Sequence, residues 1–134
     1  LGSRFYEAFT EPTKIYIEML QVIQEKYAVH GMMHITGGAY TKLKSLLSKA
    51  DAIITKNHSL KPQAIFRKLY THGITDRNMY RTFNCGIGFV LSTPKDDALK
   101  IVSGIKGADI IGEVIPGTGK VRITSIFSGK EIKL

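Results

Sequence analysis

The sequence predicts an α+β domain, with a mixed β-sheet and helices packed on its faces. Short apolar runs that suit strands are interspersed with longer segments whose apolar residues recur at helical spacing. Near the end, two apolar runs follow each other around the turn at residues 116–119, which favours α+β over a doubly wound parallel sheet. With 134 residues, 43% of them apolar, the chain fits one compact domain with a real core.

The first half of the chain predicts three helices and two strands. Pro12 and Thr13 are expected to open the first helix, because proline and a capping hydroxyl suit a first turn. Its predicted packing stripe consists of Ile15, Met19, Ile23 and Tyr27. Residues 32–35 and 51–55 are predicted strands. A second helix follows residues 36–38, with Ala39, Leu43, Leu46 and Leu47 on one face. Pro62 opens a third helix, which Gly73 ends.

The second half predicts two helices, a central strand and a hairpin. Thr75 is expected to cap a short helix through Tyr80. Residues 86–92 are apolar on both faces, which is typical of a strand covered on both sides. Residues 93–96 restart a helix, and its predicted inner face consists of Ala98, Leu99 and Val102. Residues 110–115 and 121–127 are predicted to pair as a hairpin around the turn at 116–119.

Composition restricts the functional classes. The net charge is +8, but the lysines are scattered and not interleaved with aromatic platforms, so we predict no nucleic-acid partner. No apolar run approaches the ~20 residues that span a bilayer, and we predict no membrane partner. The single cysteine, Cys85, cannot form an internal disulfide, which favours a cytoplasmic location. No histidine, cysteine or carboxylate spacing indicates a metal site.

The first candidate site is residues 34–38, where a predicted strand passes through a glycine pair into a helix. Free amides at a helix start and the absence of Cβ atoms at Gly37 and Gly38 suit an approaching anion. A histidine side chain can change protonation state near neutral pH, so His34 is a candidate to move a proton or steady a phosphoryl group. The alternatives are an ordinary tight turn beside a core histidine.

The second candidate site is the polar run before the predicted central strand. Arg81, Thr82 and Asn84 offer a guanidinium, a hydroxyl and an amide to a ligand. The alternative is structural, with Arg81 in a surface ion pair, Thr82 capping a turn and Asn84 in a left-handed bend. Cys85 has no activating base nearby in the sequence, and we assign it no catalytic role.

These segments together resemble one enzyme family. Residues 12–16 (Pro-Thr-Lys-Ile-Tyr), 34–38 (His-Ile-Thr-Gly-Gly), 79–88 (Met-Tyr-Arg-Thr-Phe-Asn-Cys-Gly-Ile-Gly) and 111–114 (Ile-Gly-Glu-Val) resemble the C-terminal domain of the phosphoribosylformylglycinamidine cyclo-ligases, or AIR synthetases. Residues 80–84 are the specific part, because relatives such as formylglycinamide amidotransferase share the glycine motif. The resemblance implies that residues 12–134 form this domain and that residues 1–11 are a linker from an absent N-terminal ATP-binding domain.

The resemblance also implies an activity, partners and roles. The full-length enzyme would use ATP and Mg, held mainly by the N-terminal domain, to close formylglycinamidine ribotide to aminoimidazole ribotide in purine biosynthesis. It would be a homodimer in which the two domains enclose the substrate. His34 and Arg81 would be catalytic. The substrate-binding residues would be Thr36, Gly37, Gly38, Thr82 and Asn84.

Two departures qualify the resemblance. Ala39 stands where the family's glycine motif carries a third glycine, and we expect it to strengthen the helix start while narrowing access to the backbone. The ATP-binding half is absent from this chain, so the chain alone is expected to be inactive. The alternatives are another ATP-using relative, such as the amidotransferase, a basic nucleic-acid-binding module, and a domain that kept the fold and lost activity.

Overall fold

The computed structural model describes residues 6–134. The helices are α1 (Tyr6–Thr10), α2 (Ile17–Lys26), α3 (Ala64–Thr71), α4 (Asp76–Thr82) and α5 (Lys95–Gly104), with a 3₁₀ helix at Ala39–Leu46. The strands are β1 (Gly31–His34), β2 (Ala50–Ile54), β3 (Phe89–Ser92), β4 (Gly112–Pro116), β5 (Val121–Thr124) and β6 (Glu131–Lys133).

The strands form a mixed sheet and a separate antiparallel pair. The four-stranded sheet has the order β4-β2-β5-β6, in which β2 runs antiparallel to β4 and parallel to β5. Strands β1 and β3 form the antiparallel two-stranded sheet. The 3₁₀ helix packs against β1, β5 and α4, so the core lies between the four-stranded sheet and these helices. The predicted α+β class with a mixed sheet is confirmed.

The predicted hairpin of residues 110–115 and 121–127 is wrong. Strands β4 and β5 lie on opposite sides of β2, and residues 117–120 cross over its first residues. The carboxylate of Asp51 holds this crossover, because its Oδ1 accepts hydrogen bonds from the amides of Thr118 at 2.8 Å and Lys120 at 2.9 Å. A Cβ at Gly117 would collide with that carboxylate. The turn residues between β4 and β5 carry no information about β2, which comes from an earlier part of the chain and lies between them.

The same carboxylate predicts a pH-dependent stability. Hydrogen bonds from the backbone amides of Lys120 and Thr118 hold the pKa of Asp51 below its ordinary value, and Arg122 adds a smaller effect. A lowered folded-state pKa stabilises the fold at pH values above the ordinary carboxyl pKa, and this contribution disappears as the pH falls through the folded-state pKa. We therefore expect Asp51→Asn to lower the free energy of unfolding at pH 7, with a smaller difference from wild type at pH 3.

Urea denaturation at both pH values measures this difference. Glu113→Gln on the neighbouring strand β4 is the matched control, because Glu113 is exposed and its carboxylate accepts no hydrogen bond within residues 6–134. A gap between wild type and Asp51→Asn that persists unchanged at pH 3 would contradict the assignment.

Several helices occur where they were predicted, but some residues predicted to pack against the core are exposed. Helix α2 begins at Ile17, not at Pro12, and Ile15 precedes it with 82% of its surface exposed. Leu46 and Leu99 are exposed, although their spacing placed them on inner faces. Leu46 is the last residue of its helix and Leu99 lies in the middle of α5, so apolar spacing alone did not identify the buried face of either helix. The helices expected after Pro62, Thr75 and Thr93 occur as α3, α4 and α5.

The strand predicted at residues 86–92 is shorter and less covered than expected. Strand β3 begins at Phe89, its residues are half-buried, and among the strands of residues 6–134 it pairs with β1 alone. Residues 84–88 instead form a turn in which Cys85 has φ 50° and Gly86 has φ 95°. The apolar run therefore combines a buried turn with a two-stranded ladder, and apolarity alone does not distinguish these from a central strand.

The predicted linker, residues 1–11, falls partly on residues 1–5, which lie outside the described residues; its remainder contains α1. None of the helices within residues 6–134 has the length and apolarity to cross a bilayer.

Candidate functional site

The ends of β1 and β3 bring the two predicted motifs together. His34 at the end of β1 pairs with Phe89 at the start of β3, and the amide of Ile35 donates to the carbonyl of Gly88 at 2.8 Å. The turn that follows β1 and the turn that precedes β3 therefore lie at the same end of the two-stranded sheet. Segments separated by about fifty residues meet there because antiparallel pairing places one strand's end beside the other's start.

A buried tyrosine ties the two turns to each other. The hydroxyl of Tyr40, which is only 1% exposed, donates to the carbonyl of Asn84 at 2.8 Å. Its ring meets that of Tyr80 edge-on, with centroids 5.3 Å apart. This contact packs the 3₁₀ helix, which follows the turn at residues 36–38, against α4, which precedes the turn at residues 84–88. The contact connects an element of each motif. Sequence reasoning missed Tyr40, because an aromatic residue at helical spacing looks like any core residue.

Tyr40→Phe should weaken this connection without disturbing the shape of the core. We expect it to lower the free energy of unfolding by about 1 kcal/mol, the usual worth of one hydrogen bond, since the amide of Ile87 still donates to the Asn84 carbonyl. Urea denaturation measures the loss. Tyr27→Phe is the control, because the half-buried Tyr27 hydroxyl makes no hydrogen bond within the described residues. Equal effects of the two changes would refute the role of this contact.

His34 belongs to an aromatic cluster with Tyr16 and Phe89. Its ring stacks on Phe89 at 5.7 Å between centroids with a 25° interplanar angle, and Tyr16 meets it edge-on at 5.6 Å. A Cβ at Gly88 would collide with the Tyr16 hydroxyl, so glycine lets Tyr16 lie across the strand. The imidazole is half-buried, and within residues 6–134 no hydrogen bond engages its ring nitrogens. The cluster orients the ring and leaves its nitrogens available for proton transfer.

Residues 36–38 form a tight exposed turn. Gly38 has φ 79° and Ala39 has φ 42°, a conformation that costs alanine more than glycine. The expectation that Ala39 simply strengthens a helix start is therefore wrong: it is a fully buried residue in the left-handed region. Within the described part of the chain the amides of Gly37 and Gly38 have no acceptor, and a Cβ at Gly37 would meet nothing within 4 Å. These amides are open to a ligand.

Asn84 is largely occupied by its own turn. Its side-chain oxygen accepts from the amide of Gly86 at 3.0 Å, and its carbonyl accepts from Tyr40 and Ile87. Only the side-chain NH₂ group remains for a ligand. A Cβ at Gly86 would lie 2.7 Å from the carbonyl oxygen of Lys61, so the turn is packed tightly against the segment before α3.

Arg81 and Thr82 form the last two residues of α4 and are both exposed. Among residues 6–134 no ion pair involves Arg81, and no hydrogen bond joins either side chain to His34 or to the glycine turn. The structure thus joins His34, Thr36, Gly37, Gly38 and Asn84 in one region. Arg81 and Thr82 lie on the helix that leads into that region, and within residues 6–134 their side chains make no hydrogen bond or ion pair with it.

Cys85 is buried, and burial limits the reactivity of its thiol. Burial raises the pKa of the Cys85 thiol to about 12, so a reactive thiolate does not form near neutral pH. This agrees with assigning it no catalytic role. Within residues 6–134 no group of three or more histidine, cysteine, aspartate or glutamate side chains is arranged to hold a metal ion.

Comparison with known proteins gives a consistent picture. The family model described as "AIR synthase related protein, C-terminal domain" matches residues 2–124. A phosphoribosylformylglycinamidine cyclo-ligase of Clostridium perfringens is 38% identical over 103 residues, which covers 75% of this chain and 31% of that protein. Proteins of the same name match at 39% over 113 residues in Methanosarcina mazei, covering 84% and 32% of the two chains, and at 37% over 125 residues in Methanothermobacter thermautotrophicus, covering 92% and 36%.

The chain therefore spans about a third of the length of the curated relatives that it matches. All three relatives are named as cyclo-ligases, and none of the three is named as an amidotransferase or a nucleic-acid-binding protein.

Proposed function

This chain belongs to the AIR synthase related protein C-terminal domain family, and from that premise we propose that it is the substrate-facing domain of a phosphoribosylformylglycinamidine cyclo-ligase. The complete protein would convert formylglycinamidine ribotide to aminoimidazole ribotide in purine biosynthesis. The observation that carries this proposal is the pairing of His34 with Phe89, together with the Tyr40–Asn84 hydrogen bond. Both support a single ligand-binding wall built from two motifs.

The proposed reaction needs few groups from this domain. ATP, held mainly elsewhere in the full-length protein, would supply a phosphoryl group to the formyl oxygen of the substrate. The amidine nitrogen would then attack the formyl carbon and lose its proton, and the bond between that carbon and the phosphorylated oxygen would break to release phosphate as the ring closes. Because both reacting groups belong to one substrate, holding them close and aligned supplies much of the rate enhancement. A domain that fixes the substrate from one side is suited to this task.

Each site residue has a proposed role consistent with its position. His34 gives or accepts a proton at the reacting centre, because its ring is oriented by aromatic contacts while its nitrogens are free. The exposed amides of Gly37 and Gly38, which have no acceptor within residues 6–134, bind phosphate oxygens. Arg81 supplies a bidentate positive charge, and Thr36, Thr82 and the NH₂ group of Asn84 orient the substrate.

We assign ATP and Mg chiefly to the remaining two-thirds of the full-length protein. The N-terminal domain of the full-length protein is then the intramolecular partner of the domain described here. We propose that the complete enzyme is a homodimer. The single buried cysteine suits the reducing cytoplasm, where we place the protein.

The deciding experiment measures ADP release by the full-length protein. We expect release that depends on formylglycinamidine ribotide and that stops when this substrate is omitted. The 134-residue chain alone is expected to release none. A correctly folded full-length protein that produces no ADP with this substrate would refute the proposed function.

A further inference from the structure

Lys42 extends from the 3₁₀ helix back to the glycine turn. Its ammonium nitrogen donates to the carbonyl oxygen of His34 at 2.7 Å and to the hydroxyl oxygen of Thr36 at 2.7 Å. Its stem lies over the turn, because a Cβ at Gly38 would be 3.4 Å from the Lys42 Cγ. The charged end of Lys42 is therefore fixed between two residues of the proposed site, and it is not a freely moving surface lysine.

The charge of this ammonium group is not neutralised locally. Both of its acceptors are uncharged oxygens, and within residues 6–134 no carboxylate forms an ion pair with Lys42. An ammonium group has three N–H donors, and two are used here. The Thr36 hydroxyl accepts from Lys42 and so keeps its own proton to donate away from the lysine. Beside it lies Gly37, with open space in front of its backbone.

We propose that Lys42 is a positioning residue of the proposed site, which fixes the Thr36 hydroxyl and supplies the positive charge that recognises an anionic group of the substrate. This inference rests on the proposed function and adds a residue to it. Lys42 belongs to the densest group of lysines in the chain, and nothing in the sequence distinguishes it from the others. Only the direction of its side chain, back toward the glycine turn, connects it to the proposed site.

Steady-state kinetics of the full-length protein test the proposal. We expect Lys42→Met, which keeps the length of the side chain and removes its charge, to raise the KM for formylglycinamidine ribotide about tenfold, with a smaller change in kcat. Lys42→Arg keeps the charge and should show less than half of that increase. Inorganic phosphate, used as a competing anion, should inhibit Lys42→Met less strongly than wild type. The KM of wild type should also rise more steeply with ionic strength than the KM of Lys42→Met, because salt screens the charge that the variant lacks.

Lys44→Met is the matched control. Lys44 lies on the same 3₁₀ helix, is exposed, and its ammonium makes no hydrogen bond or ion pair within the described residues. We expect the Lys44→Met variant to match wild type in KM, in inhibition by phosphate and in the midpoint of unfolding. A KM for Lys42→Met within twofold of wild type, or a Lys42→Arg variant as impaired as Lys42→Met, would overturn the proposal.

Thr36→Val provides a second test that retains the lysine. If Lys42 acts through the Thr36 hydroxyl, the two residues act as one unit. The double variant Thr36→Val, Lys42→Met should then have a KM no more than about twofold above that of Lys42→Met alone. Multiplicative losses would overturn the positioning role. An inactive wild-type protein would refute the proposed function itself, whereas an active wild type with an unaffected Lys42→Met variant would refute this inference alone.

Discussion

His34→Ala in the full-length protein is expected to lower kcat by about 10²- to 10⁴-fold, the range that general acid–base groups contribute. The ring packs only partly into the fold, where it stacks on Phe89 and meets Tyr16, so its removal should leave the domain folded. The rate of ADP release measures the effect, and circular dichroism verifies the fold.

His30→Ala is the matched control for this change. His30 is exposed immediately before β1. Its backbone amide donates to the carbonyl of Ser92, and its side chain makes no hydrogen bond with any of residues 6–134. Its replacement should leave the rate unchanged. Wild-type turnover by His34→Ala would remove this residue from the catalytic machinery.

Arg81→Ala tests the second proposed catalytic residue in the same assay. We expect a loss of about 10²- to 10³-fold in kcat, which is typical when one donor to a developing negative charge is removed. Arg77→Ala, exposed one turn earlier on α4, is its control. Because no hydrogen bond or ion pair within residues 6–134 joins the Arg81 side chain to His34 or to the glycine turn, an unaffected Arg81→Ala variant would confine the site to the turn residues and His34.

Gly86→Ala is expected to lower the free energy of unfolding by about 3 kcal/mol. Two costs combine at this position. The φ angle of 95° is strained for any residue with a Cβ, at about 1 kcal/mol or more. The new methyl group would also lie 2.7 Å from the Lys61 carbonyl oxygen, and overpacking of this kind costs about 1–3 kcal/mol.

Gly73→Ala separates these two costs. Gly73 has nearly the same φ, 94°, but a Cβ there would meet nothing within 4 Å. We expect it to show the conformational cost alone, about 1 kcal/mol. Urea denaturation of both variants and wild type measures the difference, which reports the collision with Lys61. Equal losses in the two variants would show that the turn at residues 84–88 moves freely, against the close packing described above.

The Gly86 comparison also bears on function. The turn that contains Gly86 carries Asn84 and leads to Gly88, across which Tyr16 reaches His34. A displaced turn should therefore lower turnover even in the fraction of Gly86→Ala molecules that remain folded.

Much of the local structure could be predicted from the chain itself. Strands β1 and β2 and helices α3, α4 and α5 were each signalled by residues within or beside them, such as the Thr75 hydroxyl that accepts from the Asn78 amide at 3.4 Å. Caps, breakers and apolar periodicity act over a few residues, so they are visible in a linear sequence. The motifs at residues 34–38 and 79–88 likewise identified the family.

Strand pairing and side-chain reach were decided only by the tertiary structure. Insertion of β2 between β4 and β5 depends on contacts between residues far apart in the chain, and no signal near residues 116–119 distinguishes that crossover from a hairpin. Three long side chains likewise reach the backbone of other elements. The Tyr40 hydroxyl bonds to the carbonyl of Asn84, and the Lys42 ammonium bonds to the carbonyl of His34. Tyr16 lies against the backbone at Gly88. Sequence identifies which groups are available for the site, whereas the distances between those groups follow from how the sheets and helices pack.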